Sequence, residues 1–226
     1  IVGISKACLD IFRQDAPTLI VNKKLHIITN GIDSEVFYPS ESASGLSQEV
    51  VFGNCCRLTD QKGLNFFLKA CSILKEKNLS FRAKIAGDGE LKEELLKQCE
   101  ELKLTNQVEF IGHVESPAVF YRELDFVLFS SKYEGTARTI LEGFATGLPV
   151  IAFNISSMKE MIEEGTDGYL VAPFEAKALA HAAETLINDR EKRESMGKSA
   201  RQKVLQHFDK KITYKKWLDY LTSNKG

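Results

Sequence analysis

Two glutamates, Glu134 and Glu142, are separated by seven intervening residues in the run Tyr133-Glu-Gly-Thr-Ala-Arg-Thr-Ile-Leu-Glu-Gly-Phe-Ala145. The first falls in a glycine-containing turn behind the apolar segment Phe126–Phe129, and the second lies on the helix expected to follow. Eight helical steps at ~1.5 Å each span about 12 Å. That exceeds the ~5–10 Å between the paired carboxylates of glycoside hydrolysis. It suits the two ends of an extended ligand, with backbone amides of residues 135–138 between them. The spacing alone is common, so its meaning depends on the neighbouring loops.

Arg57 and Lys62 flank the loop Arg57-Leu-Thr-Asp-Gln-Lys-Gly63, between an apolar run and a helix starting near Leu64. Two cations there can neutralise a diphosphate without a metal; solvated loop cations would look the same in sequence. A further loop, Ile85-Ala-Gly-Asp-Gly-Glu90, carries Gly87 and Gly89, but position 92 is Lys92, so the three-glycine dinucleotide fingerprint is incomplete. No Gly-x4-Gly-Lys-Ser/Thr run occurs, which excludes a P-loop. His113, alone in Phe110-Ile-Gly-His-Val-Glu115, reads as structural, and His26, His181 and His207 have no apparent partners. No Ser/His/Asp or Cys/His arrangement can be assembled.

The elements that must hold these loops alternate. Strands are expected at His26–Thr29, Val50–Cys55, Phe81–Ala86, Val108–Ile111, Phe126–Phe129, Val150–Phe153 and Tyr169–Val171. Several are nearly continuous apolar runs, as in parallel strands covered on both faces. Helices are expected at Leu64–Lys77, Glu90–Leu102, Pro117–Arg122, Thr139–Ala145, Met158–Glu163 and Ala176–Asn188. The alternation predicts an α/β fold with a doubly wound, Rossmann-like parallel sheet. Ligands of such sheets bind in loops at the C-terminal strand ends. From Arg190 to Ser223 the chain is helical and charge-rich, with Phe208, Trp217, Leu218 and Leu221 as expected anchors. Ser40–Gln48 is the plausible hinge, and no internal repeat is visible.

Composition narrows the partners. The 226 residues carry 30 Lys and Arg against 31 Asp and Glu, a net charge of -1, with no basic block. Nucleic-acid binding driven by charge is therefore not expected. Five cysteines without metal spacing read as free thiols in a reducing cytosol, the adjacent Cys55 and Cys56 pointing to opposite faces of a strand. No apolar run approaches the ~20 residues of a membrane span, and no signal peptide is recognisable. The opening Ile1-Val-Gly-Ile-Ser5 starts mid-strand without Met, as a piece of a longer protein would.

Taken in order, these pieces resemble the C-terminal half of a family-4 glycosyltransferase of the GT-B fold. The matching residues are Asn30-Gly-Ile-Asp33 with Phe37 and Pro39, Arg57-Leu58, Lys62-Gly63, Gly87-Asp-Gly89, Phe110-Ile-Gly112, Asp125 and Ser130. The series continues through Glu134-Gly135, Leu141-Glu142, Gly147-Leu-Pro-Val-Ile-Ala152, Glu160, Gly165, Gly168 and Pro173.

The resemblance implies a retaining transferase that takes a sugar from a nucleotide-diphosphate donor, of UDP or GDP type, with no cofactor and no metal in this half. Arg57 and Lys62 would bind the diphosphate and stabilise the leaving group. Glu134 would contact sugar hydroxyls, helped by amides from Gly135, Thr136, Ala137 and Arg138. Glu142 would receive the ribose hydroxyls, the backbone near Val114 the base, and Gly87 would permit close approach. The family's Glu-Gly-Phe-Gly turn is here Glu134-Gly-Thr-Ala137 followed by Arg138, which puts donor identity in doubt more than fold.

By the same resemblance, residues 1–22 would end a missing N-terminal domain, 23–208 would form the donor domain, and 209–226 a C-terminal crossover helix. The glycan or lipid-linked acceptor would be held by the missing half, leaving the isolated chain inactive. The expected setting is cytoplasmic, in bacterial surface polysaccharide synthesis, with the full-length protein peripheral to the inner membrane face. A sugar-nucleotide epimerase of the same fold and a non-catalytic nucleotide-binding module are the alternatives.

Overall fold

The computed structural model describes residues 1–15, 18, 25–40, 49–155 and 157–223. Two short strands, β1 (Val2–Gly3) and β2 (His26–Ile27), pair in parallel and stay apart from the main sheet. That sheet has six strands: β3 (Val50–Cys55), β4 (Phe81–Ala86), β5 (Val108–Gly112), β6 (Phe126–Phe129), β7 (Val150–Phe153) and β8 (Gly168–Val171). They lie in the order β5-β4-β3-β6-β7-β8, all parallel.

The apolar runs follow from burial on both faces. In β6, Phe126 and Leu128 enter one hydrophobic cluster while Val127 and Phe129 enter the other. In β7, Ile151 and Phe153 oppose Val150 and Ala152 in the same way. The first cluster packs under α2 (Leu64–Glu76), α3 (Lys92–Glu101) and α6 (Ala176–Asn188). The second packs under α4 (Pro117–Arg122), α5 (Arg138–Ala145) and part of α7 (Arg190–Lys203). Phe52 centres the first, stacked on Phe126 at 4.7 Å and on Phe81 at 5.4 Å. Burying one such ring contributes roughly 2–3 kcal/mol. Cys55 and Cys56 pack against opposite clusters, as the strand alternation requires, and all five cysteines are free thiols.

Three expectations change. The strand expected at His26–Thr29 is shorter and pairs only with β1. The helix expected at Met158–Glu163 is one 3-10 turn, Met158–Glu160. It stops because the Glu163 amide donates to the buried Asp167 carboxylate at 2.8 Å, and Gly165, at φ +77, turns the chain into β8. The charged tail is broken: α7 runs into a π-turn at Val204–Phe208, and extended Asp209 separates it from α8 (Lys210–Ser223).

Met196, Ala200 and Val204 anchor the tail, and Arg201 donates to the carbonyls of Phe37, Ala145 and Ser34. Phe208 is partly buried, whereas Trp217, Leu218 and Leu221 are exposed on this chain. The N-terminal helix α1 (Lys6–Asp15) has its first amides, Lys6 and Ala7, on the Glu160 carboxylate at 2.8 and 2.7 Å. The hinge expected at Ser40–Gln48 falls, from 41 onward, outside the described residues, as does most of the stretch from 16 to 22. No described helix is long and apolar enough to cross a membrane.

Candidate functional site

The strand order reverses between β3 and β6, so a crevice opens there at the C-terminal strand ends. The loop after β3 carries Arg57 and Lys62; the loop after β6 carries Glu134. Their backbones are tied together. Ser130 Oγ donates to the Lys62 carbonyl at 2.9 Å, the Lys132 amide to the Gln61 carbonyl at 2.8 Å, and Gln61 Nε2 to the Tyr133 carbonyl at 3.0 Å. Gly63, at φ +58, allows this approach, since a Cβ there would lie 2.2 Å from the Ser130 carbonyl oxygen. Across the crevice Lys62 Nζ donates to Glu134 Oε1 at 2.5 Å. Arg57 is exposed and makes no side-chain hydrogen bond or ion pair among the described residues.

Beyond Glu134 the chain enters α5 through Gly135, Thr136 and Ala137. Among the described residues, the N–H groups of Gly135, Thr136, Ala137 and Arg138 have no hydrogen-bond partner. They stand at a helix N-terminus, where such groups favour negative charge. Ala137 is buried, so it offers only backbone. Arg138 reaches back one turn, its Nε 2.9 Å from Glu142 Oε1.

Glu142 is buried among Arg138, Tyr121 and Cys55. Burial raises its pKa above the ordinary 4.5, opposed by the charge of Arg138 and its hydrogen bond; the buried Tyr121 hydroxyl makes no hydrogen bond among the described residues. Burial also pushes the Cys55 thiol to about 11 and the Cys56 thiol to about 12.

Gly87, at φ +128, closes the floor: a Cβ there would stand 1.8 Å from the Cys56 carbonyl oxygen. Its amide donates to the Gly112 carbonyl at 2.7 Å, which joins the β4 and β5 loops. Val114, half-buried against the second cluster, follows on the β5 loop. The expected residues thus gather as two ion pairs, Lys62–Glu134 and Arg138–Glu142, with Arg57 unpaired on the rim. Arg138 is turned toward Glu142 rather than held out for a ligand. The cations and amides can receive an anion, and the carboxylates can accept hydroxyl hydrogen bonds.

Four residues around the loop escaped the motif reading of roles. Gln61 binds Tyr133, Ser157 Oγ donates to the Glu134 carbonyl at 2.8 Å, Ser5 Oγ to the Gly135 carbonyl at 3.4 Å, and Asn30 Nδ2 to Thr136 Oγ1 at 3.1 Å. Gln61 and Asn30 stand within recognised motifs; nothing in the sequence distinguishes Ser157.

The doubly wound parallel sheet with its terminal helix is the architecture of half of a GT-B fold. The family model for glycosyl transferases group 1 matches residues 41–203, and the chain belongs to that family. The amylovoran biosynthesis glycosyltransferase AmsK of Erwinia amylovora is 28% identical over 207 residues, 88% of this chain and 51% of that protein. The capsular polysaccharide biosynthesis glycosyltransferase CapM of Staphylococcus aureus is 28% identical over 171 residues, 75% of this chain and 45% of that protein. The chain spans about half the length, or less, of the curated relatives it matches.

Among solved structures, Anabaena HepE in complex with UDP and glucose superposes with a TM-score of 0.85 at 25% identity, over 98% of this chain and 62% of HepE. The C-terminal domain of the group 1 protein LpcC from Francisella tularensis gives 0.72 at 27% identity, over 80% of this chain and 100% of that domain.

Proposed function

We propose that this chain is the nucleotide-sugar binding half of a retaining glycosyltransferase that builds a bacterial surface polysaccharide or glycolipid. The observation that carries the reading is the meeting, at one crevice, of the unpaired Arg57, the Lys62–Glu134 pair and the unpartnered amides of 135–138. Arg57 and Lys62 hold the donor diphosphate. As the bond from the sugar to the leaving phosphate breaks, negative charge grows on that phosphate, and preorganised cations and amides stabilise it. No metal in this half is needed for that neutralisation.

Glu134 accepts hydroxyls of the sugar, and Glu142 those of the ribose. Gly87 lets the nucleotide approach the backbone, and the backbone near Val114 holds the base. The complex of HepE with UDP supports a UDP-type donor, with GDP as the alternative base.

The acceptor is bound by a second half of the kind that completes the relatives' length. Tyr214, Trp217, Leu218 and Leu221 form an exposed stripe on α8 at helical spacing, suited to packing there as a crossover helix. By itself the chain binds donor and does not transfer the sugar. The names of AmsK and CapM support the polysaccharide setting. The full protein works in the cytoplasm against the inner membrane face.

Calorimetric titration with UDP, GDP, ADP and uridine, each with and without Mg2+, tests the reading. Metal-independent binding of one nucleoside diphosphate is expected. Binding of none of the four by the folded chain overturns it.

A further inference from the structure

We propose that Gln61, Ser157, Ser5 and Asn30 are positioning residues for the loop Tyr133–Thr136, and that they set the chain's preference for a nucleotide sugar over the bare nucleotide. This rests on the donor-site reading above.

Each anchor engages a different one of four consecutive loop residues: Gln61 the Tyr133 carbonyl, Ser157 the Glu134 carbonyl, Ser5 the Gly135 carbonyl and Asn30 the Thr136 hydroxyl. They come from separate segments: the turn after β3, the turn after β7, the approach to α1 and the stretch after β2. A peptide group is planar and trans, so its C=O and N–H point to opposite sides. Holding the carbonyls of 133, 134 and 135 on the protein side therefore aims the amides of Glu134, Gly135 and Thr136 the other way. Those amides have no partner among the described residues.

The anchoring is local and built. Ser157 is 2% exposed and Ser5 is 3% exposed, and the Ser5 hydroxyl is itself fixed by accepting from the Cys8 amide at 3.1 Å. A cavity of about 60 Å³ lined by Ser5, Thr29, Asn30, Thr136, Ser157 and Glu160 lies behind the loop, on the side the anchors occupy. Without an anchor, the loop can relax into that space and rotate its peptides. In the proposed function the sugar faces residues 134–136, whereas the diphosphate meets Arg57, Lys62 and the amides of Ala137 and Arg138 beyond them, so such relaxation weakens sugar contacts more than it weakens the diphosphate.

The test uses Ser157→Ala, Asn30→Ala and the conservative Ser157→Thr, with two readouts on the full chain. In 15N relaxation without ligand, the order parameters of amides 134–136 should fall from the rigid range of about 0.85 toward about 0.6 in both alanine variants. Those of β6 and β7 should not change, and Ser157→Thr should restore rigidity. In calorimetry, UDP-glucose should weaken by roughly three- to tenfold, from the loss of one hydrogen bond, while UDP stays within about twofold.

Unchanged order parameters at 134–136 in both alanine variants overturn the proposal, as does equal weakening of UDP and UDP-glucose. If the unaltered chain binds neither probe, the donor-site reading fails for this nucleotide, and the relaxation result alone decides whether these residues position the loop.

Discussion

Lys62 Nζ lies 2.5 Å from Glu134 Oε1, with the two side chains 14% and 10% exposed. The pair bridges the point where the strand order reverses, so it links the two halves of the sheet as well as the two loops. A mostly buried pair is costly to break from one side, because the remaining charge stays desolvated and unpaired. Lys62→Met should therefore lower stability by about 1–3 kcal/mol in chemical denaturation. The double variant Lys62→Met/Glu134→Leu should recover much of that loss. Additive losses in the double-mutant cycle would show that the pair is not coupled.

Arg57 differs from Lys62 in having no partner among the described residues, so removing it strands no charge among them. Arg57→Ala should leave the denaturation midpoint nearly unchanged. It should weaken UDP by about ten- to hundredfold, the range of a lost charge-assisted hydrogen bond. Uridine, which lacks the phosphates, should bind the variant as it binds the unaltered chain. Equal losses for both ligands in calorimetry would contradict the diphosphate role.

Glu142 gives a pH dependence with a definite sign. Its folded pKa is raised above 4.5, first by burial, with Arg138 opposing. Hydroxyl groups bind the ionised carboxylate, so affinity is full above the raised value and falls as pH drops through it. The slope approaches a tenfold loss per pH unit once the group is protonated. The loss should begin at a higher pH than an ordinary glutamate would give. Glu142→Gln should bind UDP more weakly at neutral pH and lack this step, leaving only the titration of the phosphate. Parallel profiles for the two proteins would remove Glu142 from the ribose contact.

Strands β6 and β7 are legible because burial on both faces makes every residue apolar, and the partly exposed β4 and β5 because apolar residues alternate there with Arg82, Lys84 and Glu109. β2 was overextended, because its partner β1 lies at the chain's start and no periodicity announces a two-residue pairing. The stripe of α8 is legible as apolar, but a helical pattern shows which side is apolar and not what covers it, and on this chain the stripe is exposed.

The charged residues of the site were legible from their type and their place after strands. Their supports were not. Gln61 meets Tyr133 across 72 residues, Ser157 meets Glu134 across 23, and Asn30 meets Thr136 across 106, so only folding brings them together.

Gly87 and Gly112 separate two reasons for glycine. Both have positive φ, at +128 and +79, but a Cβ on Gly87 would stand 1.8 Å from a backbone oxygen, whereas Gly112 has nothing within 4 Å. Gly112→Ala carries only the backbone strain, about 1–2 kcal/mol. Gly87→Ala must also push the Cys56 carbonyl aside, for a total of about 2–4 kcal/mol. Urea denaturation of the two variants should show this order. A smaller loss for Gly87→Ala would mean that the contact between the β3 and β4 loops yields easily.

The thiols beside the site should be unreactive. Burial holds Cys55 at about 11 and Cys56 at about 12; the charge of Glu142 adds to the first, while Lys62 partly offsets the second. At pH 8 their thiolate fractions are roughly one in a thousand and one in ten thousand, against about a quarter for an ordinary cysteine. The thiolate is the form that is alkylated. Iodoacetamide should therefore label Cys55 and Cys56 more than about a hundredfold more slowly in the native chain than in urea, as read by peptide mass spectrometry. Native labelling of Cys56 at the unfolded rate would show that the floor under Gly87 opens to solvent, and with it the packing that holds Arg57 and Lys62 in place.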